Sequence, residues 1–427
     1  MLSVGIEAAG FYGGCVSMDV MSLTQHRQVD TSRFENLLMK QKSVALSYED
    51  PVSYAVNAAK PMIDALTEQQ RDRIELLITC TESGIDFGKS LSTYVHHYLG
   101  LRRNCRLFEI KQACYSGTAG LQAACQFVLS QVSPGAKALV IATDLARFVV
   151  ESEGDGLTMD WSFFEPSGGA GAVALLVGEQ PVILRMDVGA NGYYGYEVMD
   201  TCRPIPDSEA GNADLSLLSY LDCCDQTFQL YRDRVPAADY GRTFDYLSFH
   251  TPFGGMVKGA HRNMMRRHVK ADKVHIEHDF EQRVQPGLTH CQRVGNIMGG
   301  TVLLSILSSI DHADTNQARR LGCFSYGSGC SSEFYSGVFD RHSQKAVAAM
   351  GIRQQLDLRH PLTFSEYESV LESGASVRFG TRNAQWTPDA DTMLWPSISS
   401  QIAKLGRPRL FLTGIQEFHR QYAWFQA

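Results

Sequence analysis

The sequence predicts a layered α/β fold, α-β-α-β-α with mixed sheets, built from two similar halves over residues 1–180 and 181–427. Three observations predict it. Short runs rich in Val, Ile and Leu alternate with longer helical patterns, the order that gives sheets covered by helices. The runs lack strict polar alternation, so each strand is expected to be buried on both faces. The halves also match coarsely. Each has a strand that delivers a chemically active residue toward the start of a helix. Each also has a Gly-rich approach to a late strand, SGGAGAVALLV near Ser167 and CFSYGSGCSSEFYSGVF near Cys323.

Taken in order, strands are expected at residues 74–80 (IELLITC), 107–110, 138–142 (ALVIA) and 172–177 (AVALLV), with a helix over 116–132. In the second half, residues 244–249 (FDYLSF) read as a strand ending in His250, followed by a helix through 256–265 and another over 301–310. This places His250 at the point matching Cys114 in the first half. Residues 191–239, with Gly192, Gly195, Pro204, Pro206 and Gly211, read as a loop covering part of the site.

Composition bounds the function. A chain of 427 residues with 44% hydrophobic and 20% charged residues is an ordinary soluble globular protein longer than one typical domain. A net charge of −7 gives no global attraction to nucleic acid or an anionic membrane. No apolar run approaches the roughly 20 residues that span a bilayer, and the opening MLSVGIEAAGFYGG lacks the pattern of a secretory signal. The 11 cysteines include no CxxC pair, so reduced thiols in a cytoplasm and no metal site are expected. Cys15 and Cys125 read as structural.

Cys114 lies in KQACYSGTAGLQAACQ. The unpaired N–H groups and dipole of a helix N-terminus stabilise a thiolate, and the small residues after it leave room above the sulfur. A thiolate accepts an acyl group, and the thioester keeps the acyl α-hydrogens acidic. The alternative is a buried structural cysteine. Glu82, in TCTESGIDFG just past a strand, sits where α/β sheets place ligands; partial burial would raise its pKa into the range of a useful base. Its alternative is a turn carboxylate. His250, entering Thr251-Pro252-Phe253-Gly254-Gly255, could polarise a carbonyl or deliver a proton, or be structural. Asn296 could cap the following helix or donate to a substrate carbonyl. Ser328, in Tyr326-Gly327-Ser328-Gly329, lies in a turn whose N–H groups could complete an oxyanion hole, or in an ordinary hairpin.

These residues carry a resemblance. TESGIDFGKS, QACYSGTAGLQAA, ATDLARF, FHTPFGGMVKGAHR, GNIMGG and SYGSG occur in the order found in the 3-hydroxy-3-methylglutaryl synthase family, and GIEAAGFY, SYEDPVSYAVNAAKPMID and CRP…LSLLSYL extend the likeness over most of the chain. The resemblance implies a duplicated thiolase-like fold and a homodimer. It implies that Cys114 carries an acetyl group, Glu82 removes a methyl proton and His250 protonates the acceptor's β-keto oxygen before water hydrolyses the enzyme thioester. It also implies that Tyr115, Asn296 and Ser328 lie near the substrate and Asp144 near the acetyl site.

Within the family the sequence is most similar to the polyketide β-branching members, which act on chains tethered to acyl carrier proteins. Members using free coenzyme A usually carry a Lys five residues after the histidine; here that residue is Gly255. Donor and acceptor acyl carrier proteins are therefore the expected partners. Phosphopantetheine, or coenzyme A, is the expected substrate carrier, with no tightly bound cofactor. The run Lys258, His261, Arg262, Arg266, Arg267, His268, Lys270 and Lys273 is a candidate docking face for an acidic carrier protein, centred on Lys258, Arg262, Arg266 and Arg267; otherwise it is a solvated helix face. The phosphopantetheine arm would enter beside Pro252. Three rival readings are a mevalonate-type synthase using acetyl-CoA and acetoacetyl-CoA, a thiolase-fold enzyme that does not need Glu82, and a non-catalytic carrier-protein-binding scaffold.

Overall fold

The computed structural model describes residues 2–28, 36–146, 161–205, 208–374 and 377–426. Its centre is a nine-stranded mixed sheet. We number its strands β1 (Gly5–Tyr12), β2 (Ile74–Cys80), β3 (Arg106–Ile110), β4 (Lys137–Leu145), β5 (Ala170–Gly178), β6 (Leu184–Gly195), β7 (Tyr246–Phe249), β8 (Arg319–Gly327) and β9 (Ser331–Phe339). The order across the sheet is β7-β8-β9-β6-β1-β5-β4-β2-β3. The helices used below are α1 (Pro51–Asp64), α2 (Ser116–Leu129), α3 (Ala213–Arg234), α4 (Gly254–Met264), α5 (Gln285–Val294) and α6 (Gly299–His312).

The order contains a repeat. In the first half β1 and β5 are antiparallel, β5 and β4 antiparallel, and β4 and β2 parallel. In the second half β6 and β9 are antiparallel, β9 and β8 antiparallel, and β8 and β7 parallel. The halves meet where Gly5 and Ile6 pair with Arg185 and Leu184. Thus β6, β9, β8 and β7 repeat β1, β5, β4 and β2, and among the described residues no strand of the second half repeats β3. Helix α3 covers β6 and β9 as α1 covers β1 and β5, and α6 leads into β8 as α2 leads into β4.

This topology corrects the expected alignment of the halves. His250 follows β7, the counterpart of β2, so it matches the Glu82 position rather than Cys114. The counterpart of the Cys114 turn is the turn before α6, which carries Asn296. Both turns place a non-glycine residue at positive φ just ahead of the helix, Ala113 at 43° and Met298 at 48°, a conformation that is strained for an L-residue. The two helices then cross at glycines. A Cβ on Gly117 would lie 2.1 Å from the carbonyl oxygen of Gly299, so any side chain there would push the helices apart.

The strands divide the core by alternation. On β4, Leu139 and Ile141 pack toward α1, while Ala138, Val140 and Ala142 pack into a central cluster with Leu121 of α2 and Leu303 and Leu307 of α6. A third cluster lies under α3 and is aromatic, with Tyr220, Phe228, Tyr231, Phe244 and Phe334. The first-half strands of the sheet therefore lie between α1 and the central pair α2 and α6, and the second-half strands between that pair and α3. Each large side chain fully buried in them stabilises the fold by about 1.5–3 kcal/mol.

Two expectations differ from the structure. Residues 191–239 are not mainly loop: they hold the 22-residue helix α3 and a two-stranded sheet of Thr201–Ile205 and Ser208–Gly211. The buried face of α3 is Tyr220, Cys223, Cys224, Thr227, Phe228 and Tyr231. That is a helical spacing, but its Tyr, Cys and Thr make no aliphatic stripe. Nor does the second half stay to itself. His360 and Pro361 pair with Val16 and Ser17, and the strands Arg409–Gln416 and His419–Phe425 close over α1. Asn57 Nδ2 there donates to the Leu410 carbonyl at 3.0 Å, and Arg420 ion-pairs with buried Asp50 at 2.8 Å. The end of the chain thus completes the core of the first half.

Candidate active site

The site is built where the repeated strand ends converge. Cys114 sits between β3 and α2, in a turn closed by Tyr115 N–H donating to the Gln112 carbonyl and Ser116 N–H to the Ala113 carbonyl, both at 3.1 Å. Its Sγ lies 3.3 Å from Glu82 Oε1. Glu82 follows β2, and its backbone is clamped by Asp144 at the end of β4. One oxygen of Asp144 accepts from Thr81 Oγ1 at 3.0 Å, Glu82 N at 2.8 Å, Ser83 N at 3.0 Å and Ser83 Oγ at 3.0 Å. Asp144, which the resemblance places near the acetyl site, is fully buried behind this turn and holds the Glu82 loop through that one oxygen.

Electrostatics set Glu82 apart. Burial raises its pKa; Arg203, 3.6 Å away, lowers it, and the buried Asp144 charge raises it again. Burial likewise pushes Asp144 up to about 6. Glu82 is therefore a carboxylate of heightened basicity beside the sulfur. Arg203 went unremarked in the sequence beyond the CRP likeness, because the ion pair joins residues far apart in the chain.

His250 extends from β7, with its backbone N–H on the Phe324 carbonyl at 2.8 Å and its own carbonyl accepting from Tyr220 Oη at 2.6 Å. The ring is buried, and Nδ1 has no partner among the described residues. Burial alone lowers its pKa to about 3, so the imidazole is neutral at pH 7. The neighbouring strand β8 links it to the Cys114 turn: a Cβ on Gly327 would fall 2.5 Å from Tyr115 N and 2.6 Å from the Gln112 carbonyl oxygen. Ser328 follows in the turn that buried Asp200 secures, accepting from Gly329 N at 2.9 Å and Tyr326 Oη at 2.5 Å. Asn296 spends its Oδ1 on Met298 N at 3.0 Å and Thr301 Oγ1 at 3.1 Å. Its Nδ2 makes no hydrogen bond among the described residues.

Four of the buried polar atoms left without a partner among the described residues, Ser116 Oγ, Asp144 Oδ2, His250 Nδ1 and Ser325 Oγ, lie on these converging elements. Buried polar atoms are usually paired, and unpaired ones concentrate where a ligand completes them.

Tyr115, next to Cys114, has a structural partner of its own. Its hydroxyl donates to Glu333 Oε2 at 2.7 Å, and Glu333 also accepts from Gln122 Nε2 at 2.8 Å and Asn191 Nδ2 at 2.9 Å. Glu333 is buried, and burial raises its pKa. It ties the start of α2 to the second half. A lone charged residue in the strand SSEFYSGVF was the signal available in the sequence.

The basic run is also less uniform than its sequence. Lys258 pairs with Glu277 at 2.6 Å, and Arg267 with Asp225 at 3.0 Å. His268 shares Asp225, and His261 is buried against Asp279. Lys258 and Arg267 are thus already neutralised. Arg262 and Arg266 are exposed and have no ion pair among the described residues. Pro252 is half-buried just beyond His250.

Family models agree with this architecture. The hydroxymethylglutaryl-coenzyme A synthase N-terminal model matches residues 2–181 and the C-terminal model residues 263–422. The chain is 61% identical over 424 residues to the polyketide biosynthesis 3-hydroxy-3-methylglutaryl-ACP synthase PksG of Bacillus subtilis, covering 99% of this chain and 100% of that one. It is 32% identical over 379 residues to a hydroxymethylglutaryl-CoA synthase of Enterococcus faecalis, covering 87% and 92%. The solved curacin biosynthetic pathway HMG synthase, in complex with acetyl donor-ACP, superposes with a TM-score of 0.94 at 59% identity over 99% of this chain and 100% of that one. Both family models and both relatives lead to one conclusion: the chain belongs to the hydroxymethylglutaryl-CoA synthase family.

Proposed function

We propose that the chain is a carrier-protein-dependent hydroxymethylglutaryl synthase that installs β-branches on polyketide intermediates. Cys114 takes the acetyl group from a donor acyl carrier protein, and the carrier's phosphopantetheine thiol leaves with the cysteine's proton. Glu82 then removes a proton from the methyl of the acetyl thioester. The resulting enolate attacks the β-keto carbon of an intermediate on an acceptor carrier protein, forming the new C–C bond. His250 holds the β-keto oxygen and supplies the proton that neutralises the alkoxide. Because burial keeps the ring neutral, it acts as an N–H donor and not as an imidazolium. Water finally hydrolyses the Cys114 thioester and leaves a carboxylate on the branch. Asn296 Nδ2 and the Ser328 turn donate to the acyl oxygens, and Pro252 flanks the phosphopantetheine arm.

The observation that carries this reading is the 3.3 Å contact between Cys114 Sγ and Glu82 Oε1. A thioester formed on that sulfur would hold its α-carbon within reach of the base. It also weighs against a pure scaffold and against a thiolase-fold chemistry that does not need Glu82. The deciding experiment incubates the protein with an acetyl carrier protein and a β-ketoacyl carrier protein and follows both by intact mass. Transfer of acetyl to Cys114, followed by growth of the acceptor by one acetate unit, is expected. Equal turnover with free acetoacetyl-CoA would instead favour the mevalonate-type synthase.

A second observation supports carrier-protein use. A Cβ on Gly255 would lie 1.9 Å from the Asn36 carbonyl oxygen. The position therefore cannot take a lysine to hold a nucleotide unless the chain near Asn36 moves. Arg262 and Arg266, with Lys270 and Lys273 further along the run, are exposed cations open to an acidic partner. Edge strand β3, which leaves Phe108 exposed, is the surface through which a homodimer would form; sedimentation of Phe108→Lys tests it. No helix among the described residues is long and apolar enough to cross a membrane, and reduced cysteines fit a cytoplasmic site of action.

A further inference from the structure

Helices α5 and α6 pack as an antiparallel pair behind the Asn296 turn. At the end far from that turn, three side chains meet. One ring nitrogen of His290, one of His312 and a carboxylate oxygen of Asp311 all lie within 4.8 Å of one another. His290 Nε2 is 2.9 Å from Asp311 Oδ2, and the two imidazole rings stand edge to face with centroids 4.9 Å apart. We propose that His290, Asp311 and His312 form a site for one divalent transition-metal cation of the zinc class, which clamps α5 to α6.

The donor chemistry suits such an ion. Two imidazoles and one carboxylate are a common three-ligand set for zinc, with a fourth place for water. Ligand atoms around tetrahedral zinc sit a little over 3 Å apart, given bonds of about 2.0–2.1 Å, so small rotations would bring these three together. His312 Nδ1 lies 2.9 Å from the Ser308 carbonyl one turn back on its own helix. A carbonyl can only accept, so Nδ1 carries the proton and Nε2 keeps the ring's lone pair, the arrangement in which a backbone carbonyl orients a metal-binding histidine.

The nearby cations do not fill the place of the metal: Arg293 and Arg353 both pair with Asp357, at 2.8 and 3.7 Å. His290 and Asp311 lie 21 residues apart on different helices. A search for CxxC spacing does not find such a set, which is why the sequence led to no metal site.

The test uses the full chain in a Cys114→Ser background, so that the catalytic sulfur cannot compete for metal. Cobalt(II) is titrated into apo protein and followed by visible absorption, and zinc is titrated calorimetrically. One equivalent is expected to bind with nitrogen–oxygen ligand-field bands and no thiolate charge-transfer band. Zinc should also raise the melting temperature relative to chelator. His312→Ala, at an exposed position, should leave the chelator-treated melting temperature unchanged and weaken binding at least about tenfold. Asp311→Asn should weaken it similarly. Binding of unchanged strength in both variants, or none below millimolar metal, overturns the site.

Discussion

The two halves carry the same strand and helix plan but opposite chemistry at matching points. After β2 the first half places Glu82, a carboxylate made more basic by burial; after β7 the second half places His250, an imidazole kept neutral by the same burial. Ahead of α2 the first half has the Cys114 sulfur, while ahead of α6 the second has the amide of Asn296. Duplication thus supplies two equivalent ledges facing one space. In the proposed reaction one ledge takes protons and forms bonds, and the other donates hydrogen bonds to oxygen. A condensing reaction needs both roles at once, and a single group could not fill them because one environment cannot favour the charged and the neutral form together.

The largest expected effects break the first ledge. Cys114→Ser should abolish acyl loading by intact mass. Glu82→Gln should still load but lose condensation by about 10³-fold or more, the range assigned to a positioned acid–base group. If Glu82→Gln instead condenses normally, the comparison between the ledges fails. Next comes the second ledge. His250→Asn should load normally and condense about 10²-fold more slowly. Its stability offers a separate readout. Folded His250 titrates near 3, below its ordinary value of 6.5. Below about pH 6.5 the unfolded chain takes a proton that the folded ring refuses, so stability attributable to this ring falls as pH drops toward 3. Urea unfolding of wild type against His250→Asn should show wild type losing up to about 1.4 kcal/mol per pH unit relative to the variant across that window. Asp144, with its raised value, has the opposite sign and cancels in the difference.

A smaller effect sharpens the account of Glu82. Arg203 opposes the burial that raises its pKa, so Arg203→Gln should raise it further. Condensation needs the ionised carboxylate. The acid limb of the pH–rate profile should therefore move to higher pH, by about one unit, with loading at alkaline pH unchanged and Arg203→Lys partly restoring the profile. A profile that stays in place would remove Arg203 from the site's electrostatics.

Much of this was legible in the sequence, for identifiable reasons. The strands at Ile74–Cys80 and Lys137–Leu145 announce themselves because burial on both faces demands unbroken apolar residues. Cys114 and Glu82 stand next to strand or helix ends, where local pattern and chemistry coincide. What escaped depends on pairing at a distance. The alignment of the halves follows from strand order across the sheet, not from the local likeness of one strand end to another. Arg203, Asp200 and Glu333 work through partners on remote strands. The α3 helix was hidden by a core face of Tyr, Cys and Thr. Tyr115 sits in the family motif, but only the fold reveals that its hydroxyl is committed to Glu333.

The smallest effect concerns the basic helix, where a run of like charges in sequence becomes two kinds of arginine in the fold. Arg267 lies on Asp225, whose buried carboxylate also accepts from His268 Nε2 at 2.7 Å and Gln229 Nε2 at 2.7 Å. Arg266 is exposed with no ion pair among the described residues. Arg267→Ala should then act through the fold. It removes one of three partners of a buried acid and lowers stability by about 1 kcal/mol, with carrier-protein and small-thioester rates altered alike. Arg266→Glu should leave the melting temperature unchanged. It should weaken acetyl transfer from a carrier protein severalfold at low ionic strength, an effect that fades as salt screens the charge, while a short acetyl thioester loads Cys114 at the wild-type rate. Equal losses with both donors would move the docking face away from Arg266, because a contact made by the carrier's own surface cannot affect a substrate that lacks it.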